Sequence, residues 1–110
     1  MNTIKELTEM GAFVPDDLVK KTIKFKLTDE GEELEATVHV RQLSIGAHED
    51  IFRADPDQRS TTAKLLSEAI RLGPDGKERM SYQQAYKLHP KMARAMAKAI
   101  AEANGTDRKN

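Results

Sequence analysis

The sequence predicts an α+β fold: a short N-terminal helix, an antiparallel β-hairpin, then three to four α-helices in one small domain. Two changes of hydrophobic period predict it. Apolar and polar residues alternate between Val19 and Val40, as on half-buried strands, whereas on either side apolar residues recur at the three- and four-residue spacing of helices. Length supplies the third observation. The 110 residues hold one core, and a chain of this size buries roughly two-thirds of its unfolded surface on folding.

The first helix is expected between Asn2 and Ala12, where Ile4, Leu7 and Met10 share one face and Gly11 stands where helices stop. Phe13 and Val14 precede Pro15, which pushes them into an extended connector. In the first strand Ile23, Phe25 and Leu27 alternate with Thr22, Lys24 and Lys26; in the second, Leu34, Ala36, Val38 and Val40 alternate with Glu35, Thr37 and His39. Paired positions must therefore sum to an odd number for the apolar faces to coincide. Two registers satisfy this well. A sum of 61 sets Phe25 against Ala36 and Lys26 against Glu35, and a sum of 63 sets Phe25 against Val38 with Gly31-Glu32 as a tight turn.

Ser44 is placed to cap a short helix through Ile45, His48, Ile51 and Phe52. After the break at Asp55-Pro56-Asp57 a longer helix is expected to about Leu72, with Ala63, Leu66 and Ile70 on one stripe and Leu65, Ala69 and Leu72 beside it. Gly73-Pro74-Asp75-Gly76 ends it in a turn. Ser81 and Gln84 form a capping-box pattern for a short helix to about Leu88, and Pro90 suits the first turn of the last helix. That helix carries Met92, Ala95, Met96, Ala99, Ile100 and Ala103 on one face and stops at Asn104-Gly105. Residues 1–105 are read as a single domain and the polar residues 106–110 as a disordered tail.

Composition excludes several functions. Lysine and arginine number 18 against 18 aspartates and glutamates, so the global basic signature of a general nucleic-acid binder is missing. Cysteine is absent, which removes disulfides, thiolate metal sites and a cysteine nucleophile and suits a reducing compartment. No apolar run approaches the roughly 20 residues of a membrane span, so neither membrane insertion nor secretion is expected. With five aromatic residues and no tryptophan, the core must be aliphatic and small, and burial against another copy would stabilise it.

No cofactor or metal is expected. His39, His48 and His89 fall on a strand, a short helix and a helix entrance, and His48-Glu49-Asp50 points its consecutive side chains in different directions. Capping accounts for Ser60-Thr61-Thr62 and Ser81 better than nucleophilic catalysis does. The outer face of the hairpin is expected to carry Lys20, Lys21, Lys24 and Lys26 on one strand, with Asp29, Glu30, Glu32, Glu33 and Glu35 on the turn and second strand, so the strands are expected to neutralise each other. Met92 and Met96 lie one turn apart on a smooth alanine-rich helix, an adaptable stripe that can fill a core or receive a partner.

The segments MGAFVP (10–15), EGEELEATVHVRQLS (30–44), LLSEAIRLG (65–73) and MSYQQAYKLHPKMARAMAKAIAEANG (80–105) together resemble the tail assembly chaperones of long-tailed bacteriophages and prophages, over about residues 10 to 105. The resemblance implies a non-catalytic protein of the host bacterial cytoplasm that is not expected in the mature virion. It implies a tape measure protein as client, kept soluble by the chaperone, and a role in bringing major tail tube protein to it. A frameshifted longer form of the chain and further copies of itself are implied partners, without nucleic acid or membrane. On this reading Leu65, Leu66, Ala69, Ile70, Met92, Met96 and Ile100 build the helical half and contribute to an assembly or client surface. The alternative is a small phage or bacterial regulator that binds nucleic acid through a local basic patch.

Overall fold

Helix α1 (Ile4–Glu9) leads through an extended connector to strands β1 (Leu18–Phe25) and β2 (Leu34–Arg41), followed by α2 (Ile45–Phe52) and α3 (Thr61–Ala69). Strand β3 (Ile70–Arg71), α4 (Tyr82–Tyr86) and α5 (Pro90–Ala103) complete the chain. This computed structural model describes residues 3–105, and the expected tail at 106–110 lies outside the described residues. The architecture is α+β, as the two hydrophobic periods predict.

Helix starts follow side-chain capping. Ser44, Ser60 and Ser81 accept hydrogen bonds from the backbone N–H groups of Ala47, Ala63 and Gln84, and each relieves one of the unpaired donors at a helix start. Gln84 reaches back to the Ser81 N–H, completing the capping box, and Pro90 is the first residue of α5. At the far end of α5 the Asn104 side chain accepts from Leu43 N–H at 2.7 Å and donates to Ile100 O at 2.9 Å, which ties the helix end to the exit of β2.

The three strands form one antiparallel sheet in the order β1-β2-β3. Helices α3 and α5 pack on its inner face, where Val38, Val40, Leu66, Ile70 and Met96 have at most 1% of their surface exposed. A continuous core runs from Ile23 and Val38 through Leu43, Ile51, Ala63 and Leu66 to Ala99 and Ile100.

Three expectations are corrected. Positions in the hairpin pair with a sum of 59, Ile23 against Ala36 and Phe25 against Leu34, instead of 61 or 63. Parity holds, because all three sums are odd and all place the same faces inward. The sum of 59 comes with a longer connector, in which Thr28 to Gly31 close a turn through Gly31 N–H to Thr28 O at 3.2 Å and Asp29 accepts from Lys91 of α5 at 2.8 Å. The longer connector takes Leu27 out of the strand.

The helix expected to run to Leu72 stops at Ala69. Ile70 turns extended (φ −96°, ψ 132°) and pairs with Val40, while Leu72 and Glu78 exchange two backbone hydrogen bonds at 2.8 and 3.0 Å around the Gly73–Gly76 turn. A short apolar run fits a buried helix or a buried strand equally well, and here the vacant edge of β2 decides. Lys21 is the third correction. Its odd number puts it on the inner face beside Ile23, half-buried, with its ammonium 3.6 Å from Glu102 of α5. Its stem covers apolar surface while its charge reaches the rim.

Burial ranks the expected substitutions. Leu66→Ala should cost about 2 to 5 kcal/mol in denaturant melts, because it removes buried methyl groups and leaves a cavity. Phe25→Ala should cost less, about 1 to 2 kcal/mol, since the ring is only half-buried at the sheet edge.

Gly11 and Gly76 make a second, paired comparison, with φ of +80° and +72°. A Cβ at Gly11 meets nothing within 4 Å, whereas one at Gly76 meets Leu18 Cδ1 at 2.7 Å and the His39 ring at 3.0 Å. Gly11→Ala should therefore cost about 1 kcal/mol of backbone strain, and Gly76→Ala clearly more, in the same melts.

Candidate functional site

The seven apolar residues singled out in the sequence come together, but mainly inside the domain. Leu66, Ala69 and Ile70 have no exposed surface, Met96 has 1% and Ile100 has 4%. Leu65 and Met92 are half-buried against the same core. The Met/Ala face of α5 is thus the seam between the helix and the sheet, with Met92, Ala95 and Ala103 partly exposed at its margin. Filling an irregular gap is a natural use of methionine.

The apolar surface that remains outside lies elsewhere. None of the residues of α1 is buried, and Ile4 and Met10 are exposed along with Phe13 and Val14 of the connector. The segment is joined to the body at its base, where Gln42 Nε2 donates to Asp17 O at 3.2 Å. Val14 and Pro15 border a concavity of about 350 Å³ with Ser44, next to the exposed Ile45 at the start of α2. A six-residue helix is too short to hold itself by backbone bonding alone, so its capping box at Thr3 and Glu6 and its Gly11 stop carry local order without burial. The Ile4, Leu7, Met10 face that the spacing predicts is formed, and it lies outside the core. The sign of an outward face was its length, which leaves room for barely two turns.

Two further apolar features are aromatic. His48 and Phe52 stack at 5.9 Å on the outer side of α2, and Tyr82 and Tyr86 stack at 5.9 Å beside an open concavity of about 450 Å³ bounded by Pro56, Arg59 and Ser60. Tyr82 is partly structural, since its hydroxyl accepts from Ser60 N–H at 3.0 Å.

Charge is distributed unevenly. Glu68 accepts Arg79 in a close ion pair and lies 3.7 Å from Arg41, while Arg71 donates to Glu68 O at 2.8 Å. Burial first, then the nearby Arg79 and Arg41 cations, lowers the Arg71 pKa from its ordinary value, and Glu68 opposes the shift. This cluster fastens β2, α3 and β3 to one another. The hairpin lysines behave differently from the expected mutual neutralisation. Lys24 sits opposite Glu35, but the recorded ion pairs of the hairpin run to α5, from Lys21 to Glu102 and from Asp29 to Lys91. The Lys91 ammonium, by hydrogen bond and by charge, holds the Asp29 carboxyl below its usual value.

Between β1 and α5 runs a groove of about 340 Å³ lined by Lys24, Phe25, Lys26, Lys91, Arg94, Ala95 and Lys98. A second hollow of about 290 Å³ adjoins it, sharing Lys24, Ala95 and Lys98 and ending at Glu102. Among the described residues Lys24, Lys26, Arg94 and Lys98 make no ion pair. Nor do three or more histidines, aspartates or glutamates among the described residues form a group that could hold a metal ion. Among the same residues, no helix is long and apolar enough to cross a membrane.

A small α+β body with its helical stripe internal, an apolar N-terminal arm outside and a cationic groove along one sheet edge has the makings of a protein that acts by contact with other chains. Comparison with protein families bears on which kind: residues 5–104 match the family described as phage tail assembly chaperone. The chain belongs to that family. Comparisons with curated proteins and with solved structures return no match.

The positions of Met96 and Ile45 separate core from surface experimentally. Met96→Glu should unfold the domain, because it puts a charge where 1% of the residue is exposed, and circular dichroism should lose its helical signal. Ile45→Glu, at a position 80% exposed, should leave that signal unchanged.

Proposed function

We propose that this protein is a non-catalytic tail assembly chaperone that binds the tape measure protein, keeps it soluble and helps recruit tail tube subunits to it. Membership of the family over residues 5–104 is the observation that carries the reading. The apolar arm supports it, because a chaperone must offer surface to a client that buries its own apolar stripe. Ile4, Met10, Phe13 and Val14 take the role that sequence reasoning gave to Met92 and Met96. Further proposed partners are the major tail tube protein, a frameshifted longer form of the chain where its gene makes one, and other copies of itself. The work belongs to the cytoplasm of the host bacterium, before the virion is complete.

Co-expression with the tape measure protein encoded nearby is the direct test. A soluble complex should be recovered, and the double variant Met10→Glu, Phe13→Glu should lose it while its circular dichroism stays that of the parent. A client that stays equally insoluble with and without this protein, with no complex recovered, overturns the proposal.

A further inference from the structure

The groove beside β1 has a chemistry that the apolar arm lacks. β1 is the outer strand of the sheet, hydrogen-bonded on one side only, and among the described residues its backbone makes no other backbone hydrogen bond. A strand edge of this kind offers its N–H and C=O groups to an added strand. Even-numbered residues, Lys20, Lys24 and the following Lys26, stand on the solvent face, and odd-numbered Ile23 and Phe25 on the face toward α5. From the other wall, Arg94 and Lys98 of α5 line the same groove.

β2, on the opposite edge of β1, shows one sequence that pairs with this strand. In β2 the alternation Leu34-Glu35-Ala36, with Glu33 just before it, lies along β1 with Glu35 opposite Lys24. Asp29, itself 96% exposed at the side chain, shows that a carboxylate reaches Lys91 at the mouth of the groove. We infer that the free edge of β1 and the groove under α5 receive an extended segment of a partner protein in which acidic and apolar residues alternate. Its carboxylates meet Lys24 and Lys26 on the solvent face, with Arg94 and Lys98 adding positive charge across the groove, its apolar side chains lie beside Phe25 and Ile23, and its backbone extends the sheet. Cations that lack carboxylate partners set the sign of the ligand. The open backbone edge sets its kind, since nucleic acid has no strand to add and the groove presents only the half-buried Phe25 for base stacking. This inference goes beyond tape measure binding and stands on the groove alone.

The experiment uses the full chain and a short fluorescent peptide, capped at both ends, in which glutamate and valine alternate. Fluorescence anisotropy should show binding that weakens as salt is raised, and amide exchange should slow in β1 around Lys24. Lys24→Gln with Lys26→Gln should weaken binding on the order of tenfold, as the loss of two exposed ion pairs predicts. Lys98→Gln alone, on the exposed side of α5, should weaken it less, and Lys77→Gln on the far turn should not change it. Three results overturn the inference: equal binding by a peptide of the same composition with its glutamates and valines in separate blocks, equal binding by oligothymidine, or unchanged affinity in the Lys24, Lys26 variant. Co-expression with the tape measure protein reads a different surface, so either idea can fail without the other.

Discussion

The pairing of Ile70 with Val40 is the constraint on which the rest of the structure depends. Both residues have no exposed surface, and the bond between their strands forms at the residue where α3 ends. Because the helix passes into the strand without a linker, α3 cannot shift relative to the sheet, and Leu66 and Ala69 are delivered against Val38 and Val40 as a consequence. The same junction sets Glu68 within reach of Arg41 and Arg79 and returns the chain through the Gly73–Gly76 turn, where Gly76 fits closely against Leu18 and His39. Exposed ion pairs of this sort contribute little, about 0 to 1 kcal/mol each, so the arginine cluster follows the apolar junction and does not create it.

Much of the fold was legible because it is written in local chemistry. Serine caps at 44, 60 and 81, the proline that opens α5 and the glycine at 11 each act within a few residues, and each is where the sequence puts it. The inward faces of both long strands were legible from alternation as well. What parity cannot give is register, since a slip of two residues leaves every side chain on the same face. The sum of 59 brings Asp29 of the hairpin connector to Lys91 of α5, 62 positions away, a contact that the local pattern does not announce. The ending of α3 escaped for a related reason: Ile70 and Leu72 continue the helical stripe acceptably, and only the open edge of β2 makes the extended conformation better.

The surface proposed for client contact was harder to read than the core. A stripe such as Met92, Met96 and Ile100 announces burial but not the element that will bury it, and the sheet leaves nothing of Met96 for a partner. The arm from Ile4 to Val14 carries a weaker pattern, and it is outside because six residues of helix cannot bring enough apolar area to the body to fix themselves there. Strength of pattern and availability to partners therefore run in opposite directions in this chain.

Net charge hides a similar separation. Eighteen cations and 18 carboxylates cancel in the sum, yet Lys24, Lys26, Arg94 and Lys98 are gathered along one groove and make no ion pair among the described residues. Screening confines such charges to neighbours within about 8 Å at physiological salt, so a partner at the groove meets the local cations and not the neutral total. Composition argues against indiscriminate attraction of polyanions from a distance. It leaves room for short-range selection of an acidic segment, and a chain working among many proteins gains from having one without the other.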